Sequence, residues 1–276
     1  MINDLKETFH STIKALEIFY VLNDVKPVAR ILVHDHHKEN IENKLIQLKL
    51  IYLFSDFKIK KEDAAGYSDK GVISQDPKEE GYGFCYIGKQ QEKIKEVKHL
   101  EKDQHHKALG IALGYPECCC EFFQNNFEEQ SKKSNDYTLL TLNNSEGSKF
   151  PFQNNIAARH FDHTLLSHFP CNFNCKPSLE MANKNLELIK KQDPVLANEI
   201  ETALKNTIIY SESQGVTMLK NPLQEGNKLY YKGIQGTQNN QLYHMLKMSD
   251  FIEIIHKNKI TISGLEIKNI GVMIFR

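Results

Sequence analysis

At 276 residues with 40% hydrophobic content, the chain is long enough for one large domain or two modest ones and too apolar for general disorder. Basic and acidic residues balance at 35 each, so an extended nucleic-acid surface is not indicated. No signal peptide opens the chain and no run approaches ~18 apolar residues, which argues against a membrane span and for a cytoplasmic protein.

Leu5, Phe9, Ile13, Leu16 and Tyr20 recur at helical spacing. Val28–Val33 then reads as a strand, followed by a helix carrying Ile41, Leu45, Leu48 and Tyr52 on one face. Phe57–Lys60 alternates like a short strand. Residues 61–80 are polar and read as loop, Tyr82–Gly88 as a strand, and Gln90–Lys98 as a helix. Residues 1–100 are thus expected to form an α/β region. His34, His36 and His37 close its first strand. Such a run can bind metal, although a solvated loop beside Asp35 and Lys38 is the blander account. His105 and His106 are read the same way, and Cys85 as a buried, inert thiol.

Residues 101–206 hold the main functional signal, because five of the six cysteines fall in two short stretches there. Ala108–Leu113 reads as a helix end that Gly114 stops in the left-handed conformation. Pro116 suits the first position of the next helix, placing Cys118, Cys119 and Cys120 in its first turn, where the positive dipole end favours thiolates. Residues 128–149 are polar, with one strand expected near Tyr137–Leu142. If Asn154–His163 is helical, His160 and His163 share a face. Leu165–Phe169 can form a buried strand delivering His168 to Cys171 and Cys175. Pro177 can open a helix through Leu179, Ala182, Leu186 and Ile189, with Cys175 just before it. A second helix, 194–205, opens at Asp193-Pro194. Residues 207–276 read as a β-rich module, with strands at Thr207–Tyr210, Val216–Leu219, Leu229–Gly233, Ile260–Ile262 and Val272–Phe275. The fold class expected is α+β.

Clustered cysteines in a chain this long indicate metal ligands or reactive thiols rather than a disulfide scaffold. The spacings match no zinc ribbon. Adjacent helical residues diverge by about 100°, so at most two of the three consecutive cysteines are expected to face one ion. Two of them with Cys171 and Cys175 make four thiolate ligands, and His168 can replace one. An iron–sulfur cluster fits the same inventory. The radical S-adenosylmethionine rhythm fails, because Ser178 stands where a third cysteine is required. Metal-free thiol chemistry would use Cys171 or Cys118 as nucleophile and His168 or His160 as base. The remaining alternative is that these cysteines are buried hydrophobes.

Two motifs carry a resemblance. Leu113-Gly114-Tyr115-Pro116-x-Cys118-Cys119, with Phe122 and Phe123, and His168-x-Pro170-Cys171-x-x-x-Cys175-x-x-Ser178 are similar to those of a family of uncharacterised archaeal and bacterial proteins, grouped as a domain of unknown function. Asn154–His160 resembles that family's lead-in. The resemblance spans roughly residues 80–195 and implies that Cys118 and Cys119 form the paired cysteines, with Cys120 an extra. It implies no particular reaction.

The resulting expectation is a metal centre on Cys118, Cys119, Cys171 and Cys175, iron–sulfur ahead of zinc, with His168 as ligand or acid/base. Arg159 can hold an anionic group of a small polar substrate and Ser178 can bond a thiolate or substrate, against plainer roles as a surface ion pair and a helix-start hydroxyl. Sulfur transfer or Lewis-acid chemistry is the enzymatic expectation. A metal-stabilised module for a protein or RNA partner is the competing one.

Overall fold

The computed structural model describes residues 1–61, 71–74 and 79–276. It is an α+β protein whose chain divides into two compact units, one of described residues up to Asn135 and the other spanning Asp136–Arg276. The division falls within the 101–206 stretch. No helix among the described residues is long and apolar enough to cross a membrane.

The first unit opens with α1 (Ile2–Phe9) and α2 (Thr12–Leu22), the latter capped by the Ser11 hydroxyl. Then come β1 (Val28–His34), α3 (Lys38–Gln47), β2 (Ile51–Phe54), β3 (Ile59–Lys61), β4 (Gly71–Ile73), β5 (Tyr82–Gly88) and α4 (Gln91–Lys102). β4 is a correction, since 61–80 reads as loop in the sequence; the rest of that stretch lies largely outside the described residues. Within the antiparallel sheet, β5 pairs with β1, β2 and β3, and β3 with β4. Cys85 is fully buried in β5, and burial pushes its thiol far up, as an inert cysteine requires. Val28, Tyr86, Ile94, Val97, Leu109 and Leu113 form a core that seats α5 (His106–Ala112), from which α6 (Glu117–Lys132) follows.

The second unit contains α7 (Thr138–Asn143), β6 (Lys149–Phe150), α8 (Lys176–Gln192) and α9 (Pro194–Leu204). It continues through β7 (Thr207–Ser211), β8 (Gly215–Lys220), β9 (Leu223–Glu225), β10 (Lys228–Tyr230), β11 (Gly233–Gly236), α10 (Gln241–Lys247), β12 (Phe251–His256), β13 (Lys259–Ile262), β14 (Leu265–Lys268) and β15 (Gly271–Phe275). One sheet runs β11-β8-β7-β15-β6, parallel only at β15–β6, and the other runs β14-β13-β12-β10-β9. Leu219, Leu229, Leu246, Ile252, Ile260 and Val272 belong to the core that joins them with α10.

Three local expectations are corrected. The stretch expected as a strand near Tyr137–Leu142 is instead the helix Thr138–Asn143, and the Asp136 carboxylate takes up the Thr138 N–H (2.8 Å) that its first turn leaves free. Leu165–Phe169 is no strand. Its polar backbone groups bond side chains instead, Leu166 N–H to Thr164 Oγ1 and Leu165 O to Asn185 Nδ2. Ile156–Phe161 forms a 3-10 turn that Asp162 ends at φ 61°, leaving His163 outside it.

Candidate metal centre

The first cysteine group owes its position to the α5–α6 junction. Gly114 has φ +86°, and its N–H and that of Tyr115 bond Ile111 O and Gly110 O, which closes α5. A side chain at Gly114 would meet Pro27 Cδ at 2.9 Å. Pro116 caps α6 rather than occupying its first helical position, and its carbonyl accepts the N–H groups of Cys119 and Cys120. Tyr115 is fixed by the buried Lys26 ammonium, 4.5 Å from its ring centroid, itself ion-paired to Glu17 at 2.9 Å. Cys118 is exposed, Cys119 buried, and their sulfurs lie 3.9 Å apart.

Cys120 turns away from that pair. Its Sγ lies 2.6 Å from where a side chain on Gly110 would begin, and its thiol donates to Tyr115 O at 3.7 Å. Burial, followed by the neighbouring Cys118, pushes its thiol up to about 11, so it is a protonated packing group.

The second group is a loop held by side chains. Thr141 Oγ1 donates to Pro170 O (2.9 Å), Asn144 Nδ2 to Cys171 O (2.6 Å), and Phe173 N–H to Ser145 Oγ (2.8 Å). The fully buried Asn154 donates to Phe173 O (3.0 Å) and Cys175 O (3.3 Å). Cys175 is buried and caps α8; Cys171 is half-buried, and Asn172 Nδ2 donates to its sulfur at 3.5 Å. Thr141, Asn144 and Ser145 were missed in the sequence. Their signal is polar residues at i, i+3 and i+4, inside a stretch whose composition points to strand and loop.

Cys118, Cys119, Cys171 and Cys175 make a group of four cysteines that could hold a metal ion. His168 Nε2 instead meets Ser178 Oγ at 2.9 Å, both residues being buried. Arg159 and His160 converge on Asp136, which the sequence reading overlooked. Its Oδ2 lies 2.9 Å from Arg159 Nη2 and 3.1 Å from His160 Nε2, and accepts the Tyr210 hydroxyl at 2.7 Å. Burial alone would raise the Asp136 carboxyl, but the Arg159 guanidinium and the His160 hydrogen bond outweigh it and hold it well below the usual carboxylate range. Arg159 also donates to Thr138 Oγ1 (3.2 Å) and lies 4.7 Å from the Phe169 ring centroid. It therefore pairs with a buried carboxylate, not on the surface.

No family model, curated protein or solved structure matches the chain.

Proposed function

We propose that the protein is a metalloprotein in which Cys118, Cys119, Cys171 and Cys175 hold one tetrahedral ion, zinc in the first instance, as a closed structural centre. The sulfur spacing carries this reading. Zinc–thiolate bonds of about 2.3 Å place tetrahedral ligands about 3.8 Å apart. The 3.9 Å between Cys118 and Cys119 is close to that spacing, and Cys171 and Cys175 complete a group of four that could hold a metal ion. Thiolates on four different irons stand farther apart than thiolates on one. Four protein sulfurs also saturate the ion, which leaves no position for a substrate. The second sphere fits a fixed centre, since Asn154, Thr141 and Asn144 lock the loop carrying Cys171 and Cys175.

The second reading is the iron–sulfur enzyme expected from the sequence, acting on a small polar metabolite. The buried His168–Ser178 pair favours it, as a proton-handling couple close in sequence to Cys171 and Cys175. We also propose that the chain belongs with the uncharacterised archaeal and bacterial proteins whose paired motifs it resembles.

The test is metal and acid-labile sulfide content of protein purified without oxygen. One zinc per chain, no sulfide and loss of fold on chelation supports the first reading. Iron with sulfide, and a visible absorbance that bleaches on reduction, moves the assignment to the second. Neither metal, even after reconstitution, overturns both.

A further inference from the structure

We propose that His34, His36 and Glu80 form a second metal site, for a divalent transition ion of the zinc class. The proposal does not depend on the cysteine centre.

One potential ligand atom from each of the three side chains lies within 4.8 Å of the others. Bonds of about 2.0–2.1 Å to a tetrahedral ion require separations of about 3.4 Å. The remaining adjustment falls on side chains with room to move: His36 and Glu80 are 71% and 54% exposed and already face each other as an ion pair. Two imidazoles and one carboxylate suit zinc, and calcium or magnesium would want more oxygens. Three protein ligands leave a coordination position to water or an external donor.

The backbone around these residues is built from both sides. His34 ends β1 in register with Tyr82 of β5, and the Tyr82 ring stands edge-on to the imidazole at 4.7 Å. The loop bearing Glu80 is clamped beside the turn bearing His36. Asp35 N–H donates to Gly81 O (3.1 Å), and Gly81 N–H donates to Asp35 Oδ2 (3.0 Å). Lys58 Nζ reaches the same carboxylate oxygen at 2.6 Å and Glu79 O at 3.1 Å. Asp35 is thereby committed to holding the loop, with its charge balanced. His37 is committed elsewhere, its ring 4.8 Å from that of His10. His36 N–H donates weakly to His34 Nδ1 at 3.4 Å, a bond that is given up if that nitrogen is the one that binds the ion and kept if Nε2 binds.

The experiment titrates the purified, metal-loaded full chain with Co²⁺ in the absence of oxygen. Uptake is counted by equilibrium dialysis, thiolate-to-cobalt absorption is recorded, and the Tyr82 ring resonances are followed by NMR. One further cobalt per chain is expected, without a thiolate band and with broadened Tyr82 signals. His36→Ala should abolish this uptake and Glu80→Gln should weaken it at least about tenfold. Both positions are exposed, so circular dichroism should stay unchanged. Uptake that is unaltered in both variants, that appears only with the thiolate band, or that is absent overturns the proposal. Failure of the cysteine reading would show separately, in the content of the protein as purified.

Discussion

Replacing Asp136 by alanine should cost about 3–5 kcal/mol, because it removes the buried carboxylate on which Arg159, His160 and Tyr210 converge. The carboxylate accepts bonds from Arg159, His160, Tyr210 and the Thr138 amide, and its side chain is only 2% exposed. The Arg159 side chain is 15% exposed, so solvent cannot replace what is lost. A hydrogen bond to a charged group is worth about 1.5–3 kcal/mol, so losing the His160 and Tyr210 bonds to the carboxylate reaches the same range. With a urea slope near 3 kcal/mol per M, the unfolding midpoint by circular dichroism should fall by about 1–1.7 M. Asp136→Asn should lose less, and pairing it with Arg159→Gln should cost less than the two single changes summed, since neither charge is then stranded. The pH dependence has a definite sign. The folded carboxyl lies below its unfolded value of about 3.9, so its stabilisation is complete above that pH and fades as pH falls toward the folded value. The gap between wild type and Asp136→Asn should therefore narrow below about pH 3.9, by up to about 1.4 kcal/mol per unit. A midpoint shift under about 0.3 M for Asp136→Ala, or full additivity in the double variant, would refute the reasoning.

Cys120→Ser should leave the metal content of the purified protein unchanged, whereas Cys119→Ser should lower it; equal effects would remove the distinction between a packing thiol and a ligand. Gly110→Ala should destabilise by about 1–3 kcal/mol through the Cys120 sulfur, and a second change, Cys120→Ala, should restore most of that, as measured by urea unfolding. Asn154→Ala removes two bonds to the cysteine loop and should weaken metal retention about 10–100-fold in a chelator competition assay. His168→Ala should retain the metal under the closed-centre reading, with a stability loss of about 0.5–1.5 kcal/mol from the lost bond to Ser178.

The cysteine-bearing helix starts were legible because their signals are local. Gly114 needs no partner to stop a helix, and Pro177 restricts its own backbone wherever it stands. What was hidden depends on distant residues. Thr138–Asn143 has strand-like composition, and the Asp136 carboxylate that takes up the Thr138 N–H is no part of that composition. Leu165–Phe169 is apolar enough for a strand, yet Asn185 and Thr164 take its polar backbone groups before a ladder can. The helix at Gln241–Lys247 did carry a signal that was passed over: Asn240 caps it by accepting the Tyr243 N–H, and Leu242 and Leu246 recur one turn apart. A reading dominated by short strands in 207–276 absorbed it.

The same contrast separates the residues expected to do chemistry. Cysteines in two groups are conspicuous, but which of the three consecutive thiols join the group that could hold a metal depends on helix geometry and on a glycine eight residues before Cys118. Cys120 sits against Gly110, so the small residue that looks like an ordinary helix position determines where one sulfur goes. Arg159 and His160 looked free to meet a substrate because their partner, Asp136, stands more than 20 residues away in an unremarkable polar stretch. Once that carboxylate is counted, both side chains are bound within the protein, and only His168 with Ser178 keeps a claim to proton transfer among the candidates of the second unit. Proton transfer in the second unit is therefore tested at that one pair, with metal content as the control.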